Sequence, residues 1–402
     1  MTLRLALAAS ISFALLVLNA SADWLHYRGP TQNGVVSESL PGSLPSDIKP
    51  LWKINVGTGL SSITATGDRI FTAGNRDKKN DTLVCLDANT GKEIWQHTYP
   101  QALEAKYFEG GPRSTPTIDG GNVYWVAQYG DLFCLDAATG KVKWYKHFQK
   151  EFGGRRPDWG FSGSPTIDGD LLLLDVGGEG ASTVALNKNS GDVAWKSGSD
   201  QPGYGSPVVA DLNGKRVVLV FKAQAIVGYD LKDGTEQFRS EWKTNYDVNA
   251  ISPLVTGNSI LVSSGYNTGA ALYKVGARGL ERTWFQKKLR AQMNTPIVSQ
   301  GHVFGIDGNN GGGNLVCLNL TDGSEVWREK SVRGGSLVLA GDKLICLSEQ
   351  GELVVAEASA AGFKPLLRNH ILDGRSWVQP TYSGGKLFLK NNTGELVCVK
   401  LK

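Results

Sequence analysis

The chain has 402 residues, with 50 Gly, 11 Trp and only 2 Met, and a formal net charge of +4. No run of Lys or Arg concentrates that small excess, which excludes nucleic acid as a partner class. Abundant glycine with so little methionine suits many short strands and tight turns rather than helices.

In chain order, the first element reads as an export signal. Arg4 marks a short positive start, Leu5 to Leu18 is apolar apart from small or hydroxyl residues, and Asn19-Ala20-Ser21-Ala22 offers an A-x-A cleavage site. The run is short for a membrane span, and no other segment is apolar enough to cross a bilayer. The reading is a signal peptide over 1–22, a mature chain beginning at Asp23, and an N-terminal extension over 23–50. The expected location is periplasmic or secreted, with no membrane span after cleavage.

Leu51 to Val56 then reads as a strand carrying Trp52 but lacking the three strands that precede such a residue elsewhere. From there a repeat takes over. A small residue and Pro open a strand; a Gly turn leads to a second strand; a variable loop leads to a third ending Leu-Asp. An Asp-Ala-x-Thr-Gly-Lys turn brings in a fourth strand centred on Trp. Residues Ser114 to Trp144 contain the unit whole. The opening position recurs at Ile63, Pro116, Pro165, Pro207, Pro253, Pro296, Leu337 and Pro380, giving eight copies. The fourth-strand aromatic recurs at Trp95, Trp144, Trp195, Phe238, Trp284 and Trp327, and an aliphatic stretch from Pro365 replaces it in copy seven. The eighth copy stops after its third strand, Gly394 to Val399. A period in the forties with four strands per unit predicts an all-β, eight-bladed β-propeller over 51–402. The orphan strand near the N-terminus would complete the last blade, because an open ring leaves strand edges and blade faces exposed.

Most distinctive residues have a structural duty in that unit. The turn Asp (Asp87, Asp136) bonds backbone amides two residues on, the turn Gly (Gly91, Gly140) supplies positive φ, and Trp fills the space between blades. Cys85, Cys134, Cys317 and Cys398 share one strand register. On neighbouring blades they stand about 10 Å apart, beyond the roughly 7 Å reach of a disulfide, so they read as small buried hydrophobes, and Cys346 with them.

The units Leu86–Trp95 and Leu135–Trp144, of the form LDAxTGKxxW, resemble the PQQ-like propeller repeat of quinoprotein alcohol dehydrogenases and of the outer-membrane assembly lipoprotein BamB. Trp52 to Gly59, Tyr246 to Pro253 and Gly351 to Ser359 resemble a group of exported bacterial PQQ-like proteins. The resemblance covers about residues 24–402. It implies the propeller fold and two candidate roles, a PQQ- and Ca²⁺-dependent oxidoreductase or an envelope assembly partner. No two Cys are adjacent, so the vicinal cysteine pair of the dehydrogenases has no counterpart. Asp23, not a Cys, stands after the expected cleavage site, so the lipid attachment of BamB has no counterpart either.

Catalytic signatures are missing: there is no G-x-S-x-G, H-E-x-x-H, Walker loop or EF-hand pattern. The five His have no ligand spacing, and Asp158, Asp247, Glu179 and Asp307 offer oxygens without a readable metal pattern. No catalytic or metal residue is assigned. The loops entering strand one and joining strands two and three are long and varied and share one face, which is where a rigid scaffold carries function. Residues just before strand one, namely Arg113, Tyr204, Asn249, Asn294, Arg333 and Gln379, should ring a central funnel. Arg156, Asp158, Trp159 and Trp377 belong to the same face. Guanidinium forks hold carboxylates or phosphates and Trp stacks on flat groups. These ten residues are the expected ligand site for an anionic or aromatic small molecule. The same groups would equally well hydrogen-bond one another and plug the channel. The function expected is a monomeric exported scaffold that binds such a ligand, or an envelope protein, without chemistry of its own.

Overall fold

The computed structural model describes residues 23–36, 38–309 and 312–401. The signal peptide expected over 1–22 lies outside the described residues. Eight antiparallel sheets stand around a central channel. Blade 1 is Thr64–Thr66, Arg69–Arg76, Asn80–Asp87 and Glu93–Pro100, and blades 2–7 follow in the same order, from Thr117 to His370. Strand one begins immediately after the predicted opening position in every blade but the seventh. There it starts at Ser336, one residue before Leu337. Blade 8 contains Thr381–Ser383, Lys386–Lys390 and Glu395–Lys400, and its outer strand is Pro50–Asn55 from the N-terminus, antiparallel to Glu395–Lys400. The ring is thus closed by its two chain ends, as the missing strand of copy eight required.

The repeat residues explain how blades adhere. In all eight blades the pairing of strands three and four shifts register near the start of strand four. Such a bulge re-aims the side chain that follows it. The Trp indole then donates to a carbonyl of the next blade: Trp52 to Ala88 at 3.2 Å, Trp95 to Ala137 at 3.0 Å, Trp144 to Lys188 at 3.1 Å and Trp195 to Leu231 at 2.9 Å. Trp284 and Trp327 do the same to Leu320 and Ser359. The indole lies over the turn Gly of that next blade. A Cβ on Gly140 would stand 2.5 Å from Trp95, and Gly140 has φ +72°. Glycine is therefore required twice there, for its conformation and for the missing methyl. The turn itself is held by Asp136, whose Oδ1 accepts from the amides of Ala138 and Thr139 and from the Thr139 hydroxyl. All five cysteines are free and buried.

A second belt runs around the channel. The residue just before the opening position carries a hydroxyl in seven blades, and five of these, in blades 2–6, accept from the backbone amide of their counterpart one blade earlier. Ser62 N donates to Thr115 Oγ1, Thr115 N to Ser164 Oγ, Ser164 N to Ser206 Oγ, Ser206 N to Ser252 Oγ and Ser252 N to Thr295 Oγ1, at 2.9–3.1 Å. These buried amides cannot reach a strand partner, and the belt satisfies them.

The segment between Asp23 and Val36 lies inside the channel rather than beside the ring. Trp24 exchanges backbone hydrogen bonds with Ala65 of blade 1 and Leu25 O accepts from Ile118 of blade 2. Gln32 reaches Thr166 of blade 3, and Val35–Val36 pairs in parallel with the first strand of blade 7. Arg28 is only 1% exposed. Its guanidinium donates to Thr295 O and Pro296 O of blade 6, both at 2.8 Å, and to Asn33 O at 2.7 Å. The segment is a plug at the end of the channel where the short turns lie, since Asp23 receives hydrogen bonds from Thr66 and Gly67 in the first turn of blade 1.

Candidate functional site

The opposite end of the channel is open. The long loops there enclose a cup of about 710 Å³, within the range of small-molecule sites. Tyr27, carried by the plug, lines it and supplies its floor. The funnel is therefore open at the mouth and closed below.

The wall follows a simple register. In every blade but the seventh, the residue three positions before the strand-one opening faces the cup: Leu60, Arg113, Ser162, Tyr204, Ala250, Met293 and Trp377. The residue one position before it does so in Ser62, Ser164, Ser206 and Gln379. In blades 1 and 3–5 the cup is thus lined by belt hydroxyls, Leu60, and small and aromatic groups. The long 1–2 connection adds Lys106, Tyr107 and Phe108; other loops add Asp158, Trp159, Tyr246, Tyr266 and Asn294.

Of the ten residues expected at the funnel, Arg113, Asp158, Trp159, Tyr204, Asn294, Trp377 and Gln379 line the cup. Three do not. Asn249 is fully buried, and its amide donates to Lys222 O, Ala223 O and Trp242 O while accepting from the Thr244 hydroxyl. It sits one residue out of the facing register, which in that blade belongs to Ala250. Arg333 is likewise one residue out of register, before Gly334, which lines a small recess beside the cup, and is exposed at the end of the strand Glu325–Arg333. Arg156 lies farther out, paired with Glu104 at 2.6 Å and stacked over Tyr129 at 4.1 Å. Tyr107, Tyr246 and Tyr266 sit on loops of the expected face, yet their importance comes from the structure. Tyr27 carried no sequence signal at all.

Arg113 is the central cation. It donates to Gln128 Oε1 at 3.2 Å and lies 4.9 Å from the Phe108 ring. Gly160 leaves room for it, because a Cβ there would come within 3.0 Å of its Nη1. Burial lowers its pKa to about 10, with the nearby Arg156 adding to the effect, and it stays charged at neutral pH. Burial raises the Tyr204 phenol to about 12, so that hydroxyl stays a neutral donor. Trp377 is fixed by its indole donating to Glu349 at 3.0 Å, by Asn392 accepting from its amide, and by Arg375 stacked at 4.7 Å. Phe108 and Tyr107 contact the Trp159 ring edge-to-face at 6.0 and 5.7 Å.

A calcium ion takes about six to eight oxygen ligands, several of them carboxylates. Among the described residues, Asp158 is the one carboxylate on the cup wall, and no group of three or more His, Cys, Asp or Glu is placed to hold a metal ion. Asp307 is taken by Arg290 and Arg328 at 2.7–2.9 Å. The cup wall does not supply the carboxylates that Ca²⁺ would need.

A family model described as outer membrane protein assembly factor BamB matches residues 46–127 and 79–329. BamB of Yersinia pestis is 25% identical over 377 residues, covering 86% of this chain and 77% of that protein. Among solved structures, BamB from Moraxella catarrhalis superposes with a TM-score of 0.64 at 16% identity, covering 89% of this chain and 98% of that one. The quinohemoprotein alcohol dehydrogenase of Comamonas testosteroni gives 0.67 at 13% identity, covering 96% and 81%. These structural likenesses concern the fold.

Proposed function

The chain belongs to the propeller family described as outer membrane protein assembly factor BamB, and from that premise we propose that it is an exported envelope propeller that binds through its loop face, without chemistry of its own. The observation that carries this reading is the aromatic cup. It is a concave site on the variable face, and the protein's own N-terminal segment closes its inner end. A ring that served only as a spacer would have no need of a floored, aromatic-lined recess. Periplasmic or secreted location is supported by the signal-like N-terminus and by the outer-membrane family. Among the described residues no helix is long and apolar enough to cross a membrane. The test is site-specific photocrosslinking in the native envelope, with the crosslinker at Tyr107 on the cup rim and, as control, at Lys232 on the opposite turn face. Capture from Tyr107 alone is expected, and equal capture from both positions would refute the assignment of the binding face.

The alternative, a PQQ- and Ca²⁺-dependent oxidoreductase, draws support from the dehydrogenase-like ring and from Arg113 in an aromatic setting. It is weakened by the single wall carboxylate. A rise in melting temperature on adding PQQ with Ca²⁺ would favour it over the binding reading.

A further inference from the structure

Three tyrosines on the cup hold a backbone conformation that tyrosine rarely takes. Among the non-glycine residues with positive φ are Tyr107 at 66°, Tyr246 at 62° and Tyr266 at 51°, and all three line the cup. A bulky residue in the left-handed region is an outlier that persists where surrounding structure imposes it, most often at functional sites. Tyr266 makes the point sharply. Thr268 N donates to Gly265 O at 3.0 Å, and Tyr266 and Asn267 are both left-handed. That is a type I′ hairpin turn, whose first central position favours Asn, Asp or Gly. Tyr107 and Tyr246 are also 84% and 75% exposed. Neither strain nor exposure helps the fold, so both point to a ligand that covers the rings.

The rest of the wall narrows its class. Tyr246 and Tyr266 meet edge-to-face at 5.4 Å, as Tyr107 does with Trp159, and in each such pair the ring giving its edge keeps its faces uncovered by its partner. Between the rings stand groups that donate and accept: the belt serines, the Asn294 and Gln379 amides, Arg113 and Asp158. Gln379 is 5% exposed, and its Oε1 has no hydrogen-bond partner. A polyanion would meet Asp158 and only two cations, of which Lys106 already lies over Tyr107 and Trp159 at 5.7 and 5.6 Å. A purely apolar ligand would leave the Gln379 Oε1 and the Arg113 guanidinium short of partners. A sugar ring offers what the wall matches, an apolar C–H face for stacking and a rim of hydroxyls that both donate and accept.

We propose that the cup is a saccharide-binding site, with Tyr107, Tyr246 and Tyr266 as its stacking platform and Arg113, Asp158, Asn294 and Gln379 reading hydroxyls. This rests on the cup being the binding site. The experiment presents the full mature chain with an array of defined oligosaccharides, gluco-, xylo- and chito-series included, and titrates any hit with the soluble sugar. Tyr107→Gly and Tyr246→Gly are compared with the native chain. Glycine suits positive φ, so both should melt at or above the native temperature, yet bind the sugar about tenfold more weakly or worse. In parallel, the fluorescence of anilinonaphthalene sulfonate reports on the cup without reference to sugar. No saccharide bound, with dye enhancement lost in the two variants, would overturn the saccharide proposal and leave the cup reading standing. Dye enhancement unchanged in both variants would overturn both. Sugar binding indifferent to both variants would overturn the proposal.

Discussion

Replacing Arg28 by Met should loosen the plug and unfloor the cup while leaving the ring intact. The guanidinium is buried with three carbonyl acceptors at 2.7–2.8 Å and no carboxylate. Hydrogen bonds from a charged donor are worth about 1.5–3 kcal/mol each, and orphaned buried carbonyls add to the loss. Against that, the variant no longer has to bury a charge, an effective penalty of several kcal/mol. The balance is a loss of about 3–5 kcal/mol. With roughly 2 cal/mol/K of unfolding entropy per residue, that lowers Tm by about 5 °C. The loss should be local as well as global. Amide exchange of the backbone bonds at Trp24, Ala65, Ile118 and Leu339, which tie the plug to blades 1, 2 and 7, should accelerate much more than exchange within blades 3–5. Hydrogen exchange read by mass spectrometry, beside a thermal melt, measures both. A Tm within 1 °C of native together with unchanged exchange at those four amides would refute the view that Arg28 holds the plug.

Other expectations are briefer. Trp195→Phe removes the hydrogen bond to Leu231 O but keeps most of the buried ring, as Phe238 does naturally one blade on; a loss of about 1–3 kcal/mol in denaturant melts is expected, against about 3–5 for Trp195→Ala. Lys222 and Asp175 form a fully buried pair at 2.6 Å. Lys222→Met alone should cost about 3–5 kcal/mol, and adding Asp175→Leu should recover much of it in a double-mutant cycle. Lys390 is buried with Ser61 O, Ala73 O and Thr72 Oγ1 as partners, and burial lowers its pKa to about 7. The unfolded chain keeps the proton up to a pKa near 10.4, so it binds more protons than the folded chain between pH 7 and about 10. Folded stability relative to Lys390→Met should therefore rise with pH across that window, by at most about 1.4 kcal/mol per unit, and level off outside it. A flat difference in melts from pH 7 to 10 would show that Lys390 is not buried as a strained cation.

The fold was legible because a repeat writes the same physics eight times. Trp, Gly and the turn Asp each answer a local need that the repeat makes visible, whereas the hydroxyl belt before the opening position emerged only from the structure. The cup was partly legible. Its face followed from loop length alone, and seven of ten expected residues line it. Asn249 and Arg333 failed for one reason: a shift of a single residue turns an extended side chain to the other side, and sequence spacing in variable loops does not carry that accuracy. The strained tyrosines were visible only as loop residues, since positive φ at Tyr266 depends on the hairpin that Gly265 and Thr268 close.

What the sequence determined by itself is the eight-bladed ring, its closure by the N-terminal strand, and the face that can vary. Local turn chemistry and an aromatic packed between blades at seven of the eight positions are enough to specify these. What only the tertiary structure decided is that the extension after Asp23 enters the channel and that Tyr27 floors the cup. Arg28 bonds with Thr295 and Pro296 across 267 and 268 positions of chain. No local pattern encodes such a contact; it exists only once the ring has closed and left a channel to fill.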